Sequence, residues 1–195
     1  MTLLASGAER FTQPLPFAPV LERFFGRTGD GGGVVGGKSA KLSRTHLRGA
    51  VTDQTSELPE TIHREIQALC AEGDRLAEAE AWEDAVAAYN KAWELVPAPR
   101  NDWNASTWIL AAIADACFLG GFKTSAREAL EYAMTCPGAV GNPFLHLRLG
   151  QVLLDAGQED RAADELMRAY MGVGEEIFGA EDGRYLAFLK TRAKL

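Results

Sequence analysis

The sequence predicts an all-α protein, and three observations carry that reading. From Pro59 onward apolar residues recur at helical spacing, and Gly, Pro, Asn or Asp interrupts them about every 12–18 residues. Strand-like alternation is almost absent. The run Phe144-Leu145-His146-Leu147-Arg148-Leu149 alternates briefly, but it continues into a helical pattern.

Seven helices follow from the pattern, over residues 59–79, 82–96, 104–120, 123–135, 143–156, 159–173 and 181–192. Pro59 suits the first turn of the first helix, where a missing N–H costs nothing. Asn142 before Pro143 reads as an N-cap with proline at the first helical position. Glu181 and Asp182 are acids placed where a helix N-terminus favours negative charge.

Composition divides the chain near Leu58. The 195 residues are 47% hydrophobic and 24% charged, which marks a globular protein, and the length fits one ordinary domain. Residues 1–58 carry a net charge of +2, and the remainder carries −9 of the total −7. The first segment holds a glycine-rich tract, Gly26 to Gly37, and little apolar surface to offset its chain entropy. Residues 1–56 are expected to be mostly unstructured and dispensable for folding, apart from a short helix near Pro19–Phe25. Val51 stands as an alternative initiation point. The folded domain is expected over 57–195.

The same composition excludes several classes. No apolar run reaches the roughly 18 residues of a membrane helix. A pI near 5.1 disfavours nucleic-acid binding, which needs clustered Lys and Arg. Cys70, Cys117 and Cys136 are odd in number and widely spaced, which fits a reducing cytoplasm better than a disulfide framework. Glu9 and Arg10 interrupt the N-terminal apolar stretch before a signal sequence can form.

Overlaying the helix pairs reveals internal similarity. The first pair runs Leu69, Gly73, Leu76, Ala85, Tyr89, Ala92 and Pro97. The second gives Leu110, Ala114, Cys117, Gly121, Ala126, Leu130 and Ala133, and the third Gly150, Leu153, Gly157, Ala162, Leu166 and Ala169. A small residue on each first helix (Gly73, Ala114, Gly150) admits close approach, and the alanines of each second helix accept bulky neighbours. At these residues the chain resembles the tetratricopeptide repeat family, and in particular short bacterial three-repeat members. The resemblance implies a helix-turn-helix solenoid with repeats at 66–99, 107–140 and 143–176. It also implies a capping helix at 181–192 that covers the last repeat. The second repeat departs from the family pattern, with Ala114 where glycine is usual and Gly138 at the terminal proline position.

The resemblance also implies a concave partner-binding groove. Carried over position by position, the groove falls on Gln67, Asp74, Glu78, Trp108, Asp115, Phe118, Phe144, Leu147, Gln151 and Asp155. No Lys or Arg is among these, so the groove suits a protein partner with basic residues and apolar anchors. The competing reading is that the aromatic residues pack the interior, or that the chain's own C-terminal helix fills the groove.

Other motifs carry less. Gly32-Gly33-Val34-Val35-Gly36-Gly37-Lys38-Ser39 satisfies the phosphate-loop expression, but no strand precedes it and no good helix follows it. A nucleotide-binding switch or enzyme using this loop is the rival from another class. His63 and Cys70 could share a helix face, but two ligands do not make a metal site. His146, set among leucines, reads as a satisfied core or boundary histidine, and His46 falls in the glycine-rich segment. Asn104-Ala105-Ser106 is a glycosylation sequon without meaning unless the chain is secreted. No catalytic residue, metal or cofactor is expected. The function expected is a cytoplasmic, non-catalytic adaptor or antitoxin-like immunity module, with a secretion chaperone as the alternative.

Overall fold

The computed structural model describes residues 57–195. The phosphate-loop match, His46, the helix expected near Pro19–Phe25 and the reading of 1–56 all lie outside the described residues. Among those described there are seven α-helices and no strand. They are α1 (Glu60–Glu78), α2 (Trp82–Glu94), α3 (Asn104–Leu119), α4 (Lys123–Ala133), α5 (Pro143–Asp155), α6 (Glu159–Val173) and α7 (Gly183–Arg192). Three short 3₁₀ turns, Arg100–Asp102, Ala139–Gly141 and Glu175–Phe178, connect them.

Local chemistry explains the boundaries. Asn142 caps α5: its Oδ1 accepts from the backbone N–H groups of Phe144 (3.0 Å) and Leu145 (3.4 Å), with Pro143 beginning the helix. Asp182 accepts from the Arg184 N–H at 3.0 Å, so α7 starts at Gly183, two residues later than the acids alone suggest. Pro59 is extended, with φ −52° and ψ 137°, and serves as the cap rather than the first helical residue of α1.

Helices α1/α2, α3/α4 and α5/α6 form three hairpins that close in the same way. Each has a left-handed residue between its helices: Glu80 (φ 53°), Gly121 (φ 85°) and Gly157 (φ 72°). Each also has a backbone bond from the following residue to the carbonyl five back: Ala81 to Leu76, Phe122 to Cys117 and Gln158 to Leu153. This is the Schellman arrangement, which satisfies carbonyls left open at a helix end. The three left-handed residues stand at equal distance from Gly73, Ala114 and Gly150.

Packing within the hairpins is close where small residues were expected to allow it. A Cβ on Gly73 would lie 2.2 Å from Tyr89 Cζ, and one on Gly150 would lie 2.7 Å from Leu166 Cγ. Ala114 and Leu130 are fully buried at the corresponding places in the middle hairpin. The alanines of the second helices, Ala85, Ala92, Ala126, Ala133, Ala162 and Ala169, are also fully buried. Helices α1, α3 and α5 touch one another in sequence, and α2 and α4 each bridge to the next hairpin. The core is one continuous cluster from Leu58 to Leu189. Helix α7 closes it against α6 by burying Tyr185 and Leu189.

Candidate functional site

The side of the domain formed by α1, α3 and α5 contains all ten groove residues named above, in three kinds of environment. Gln67 and Glu78 project from α1 into solvent. Asp74 is half-buried and accepts a hydrogen bond from the Tyr89 hydroxyl at 2.5 Å. Burial pushes the Asp74 carboxyl above its ordinary pKa against the Tyr89 hydrogen bond, and the nearby Glu78 charge adds to the rise. Trp108 on α3 is half-buried and meets His63 of α1 edge to face, with ring centroids 6.5 Å apart. Phe144 is half-buried at the start of α5.

The remaining five positions are taken up by the chain itself. Asp115 and Gln151 are fully buried and Leu147 is 1% exposed. The guanidinium of Arg148, itself buried, donates through Nε to Asp115 and through Nη1 to Gln151 Oε1 (2.7 Å) and Glu181 Oε2 (2.5 Å). Gln151 Nε2 donates to the same Glu181 oxygen at 3.0 Å. Burial opposes the Arg148 charge, yet Asp115 and Glu181 outweigh it and hold its pKa above the ordinary value. The guanidinium also lies 4.8 Å from the Phe118 ring centre and 5.2 Å from that of Phe144.

Two corrections follow. Asp115, expected in the groove, is not open to a partner's basic residues, because it is sealed in the interior with Arg148. A cation does belong to this face, since Arg148 enters it beside Leu147 even though none of the ten residues is basic.

The C-terminal end is filled by α7. The Tyr185 ring packs 6.3 Å from Phe118, and its hydroxyl donates to Asp155 at 3.2 Å. Asp155 is held further by Arg184 (2.7 Å) and Lys123 (2.8 Å), and the Lys123 ammonium sits 3.8 Å over the Phe118 ring. Ion pairs from Arg192 to Asp160 (3.1 Å) and from Lys190 to Glu175 (3.1 Å) anchor the far end of α7. Phe118, Gln151 and Asp155 are therefore engaged by the chain's own C-terminus, which leaves Gln67, Asp74, Glu78 and Trp108 as the open part of the face.

The sequence reading did not single out Arg148 or Glu181 for this cluster. The available signal was a charge set in a row of leucines, Leu147-Arg148-Leu149, where an uncompensated guanidinium would be costly. Its partners lie 33 residues away on either side, so spacing alone could not name them.

Groups for nucleophilic or metal chemistry are sparse. The three thiols are buried. Burial raises the pKa of each, with the Asp74 charge adding at Cys70 and the Asp115 charge at Cys117. Cys70 shares α1 with His63, but the His63 ring is turned to Trp108. Among the described residues, no three of His, Cys, Asp and Glu come together as ligands for a metal ion. No helix among them is long and apolar enough to cross a membrane. No known family model matches the chain, and no curated protein matches it.

Proposed function

We propose that this chain is a non-catalytic protein-interaction module of tetratricopeptide type, acting as an adaptor or immunity protein. The partner docks on the α1–α3 end of the face, around Trp108. The observation that supports this most is the threefold identity of the hairpins. Each pairs a small residue with a bulky one sixteen positions later (Gly73 with Tyr89, Ala114 with Leu130, Gly150 with Leu166) and closes with the same turn. A stack of such units cannot extend its core sideways, and its first helices form a continuous surface suited to an extended partner.

The chemistry of that surface sets the partner's character. Trp108 is large and partly accessible, the kind of residue that anchors interfaces. Gln67, Asp74 and Glu78 follow along α1 from the His63–Trp108 contact, which suits an extended segment carrying an apolar side chain and, further on, Lys or Arg. Captures from lysate of the source cell with wild-type chain and with Trp108→Ala, Glu78→Lys and Gln67→Arg variants test the assignment. A protein retained by wild type and lost by all three variants, at unchanged melting temperature, supports it. A protein retained equally by all four overturns it.

A further inference from the structure

Away from this face, His146 on α5 has two acceptors. The residue is 6% exposed. Nδ1 lies 2.5 Å from Glu165 Oε2 on α6, and Nε2 lies 2.8 Å from the carbonyl oxygen of Val140 in the 3₁₀ turn Ala139–Gly141. A carbonyl only accepts hydrogen bonds, as does an ionised carboxylate, whereas a neutral imidazole has a single N–H. Both contacts are satisfied only when His146 and Glu165 together hold one proton more than the neutral ring and the free carboxylate. Whether that proton rests on Nδ1 or on Oε2, the count is the same.

We propose that this shared proton is a latch: while it is bound, His146 ties the Ala139–Gly141 turn to α6, and its loss unties the turn and reshapes the groove beside it. That groove has a volume of about 570 Å³ and is lined by Val140, Pro143, Met167 and Met171 among others. Val140 is 68% exposed and Met171 78%, so the turn and the end of α6 form its open rim. Nothing else among the described side chains bonds the Val140 carbonyl. When Nε2 carries the only ring proton, Nδ1 faces the Glu165 carboxylate lone pair to lone pair. When Nδ1 carries it, the same clash falls on Val140. Either way one of the two contacts is lost.

The charged groups facing the ring come from α6. Glu165 favours the extra proton, Arg168 opposes it, and Asp164 lines the same groove. On its own helix, Arg148 is engaged by Asp115 and Glu181. The Glu165 hydrogen bond, working against burial, holds the His146 pKa above the ordinary histidine value of 6.5, and the Val140 carbonyl adds to the rise. A raised pKa fixes the sign: the latch is fully closed below 6.5 and opens as pH rises through the elevated value.

Imidazole NMR on the full chain, combined with amide exchange across residues 139–142, tests this. The expected result is a ring protonated on both nitrogens, or sharing its proton with Glu165, below pH 6.5, with its transition above that value. The Asn142 amide, which bonds the Ala139 carbonyl, should then lose protection several-fold beyond the intrinsic rise with pH as His146 titrates. Glu165→Gln should move that transition down toward 6.5. A ring in the ordinary neutral form below pH 6.5, turn exchange indifferent to the titration, or a transition unmoved in Glu165→Gln would each overturn the proposal. Should Glu165→Gln fail to fold, the wild-type titration alone decides.

Discussion

The Arg148 guanidinium donates to the Asp115 carboxylate between α5 and α3, with each side chain 1% exposed. The pair joins the second and third hairpins, and through Glu181 it also fixes the segment entering α7. Removing one partner of such a buried pair leaves the other charge without compensation. Arg148→Met should therefore cost about 3–5 kcal/mol of stability. Pairing it with Asp115→Leu should recover a large part of that loss. Denaturant melts of both variants check this, and a single variant within about 1 kcal/mol of wild type would contradict it.

Two glycines of the third hairpin should respond differently to alanine. At Gly157, φ is 72° and the surroundings are open, so Gly157→Ala should cost only the left-handed penalty of about 1–2 kcal/mol. At Gly150, which is helical and carries no such penalty, the new methyl would instead meet Leu166, including its backbone nitrogen at 3.0 Å, and this clash should cost more. Glu80 holds the same left-handed position with a side chain, and Glu80→Gly should raise the melting temperature. An unchanged or lower value for Glu80→Gly would argue against strain at that turn.

Ala92 and Ala162 are fully buried against their neighbouring helices. Ala92→Leu and Ala162→Leu should each destabilise the fold by about 1–3 kcal/mol through overpacking. Thermal melting resolves this easily, and wild-type melting in both would mean that these helix contacts are looser than described.

Deleting Gly183–Leu195 should produce an associating or insoluble protein. The deletion uncovers Phe118, strips Asp155 of Arg184 and Tyr185, and removes the buried Leu189 from the α6 side. Size-exclusion chromatography reads the outcome, and a well-behaved monomer would show that α7 is not needed as a cover.

Helix positions were legible in the sequence because local chemistry decides them. The 3.6-residue apolar period, the Asn142-Pro143 start and Gly121 and Gly157 at the hairpin turns act within one or two turns of chain. Helix α1 begins one residue after the expected start, because an extended Pro59 and a helical Pro59 share the same φ. What sequence could not give was the occupancy of the face. Whether Asp115 lies on a surface or in the interior depends on where Arg148 and Glu181 arrive in space, and Arg148 sits 33 residues from each of its acidic partners. Periodicity assigns a residue to a helix face, but it does not say which other helix covers that face.

The proposed partner contacts the open end of the α1–α3–α5 face beside Trp108. Photo-crosslinking in the source cell measures this most directly, with the reactive residue placed at Gln67 and, in a second variant, at the exposed Lys91 on α2. A discrete protein adduct from Gln67, absent from Lys91 and abolished by adding Glu78→Lys, is the expected result. Adducts from Lys91 alone, or none from Gln67 in a folded chain, would contradict it.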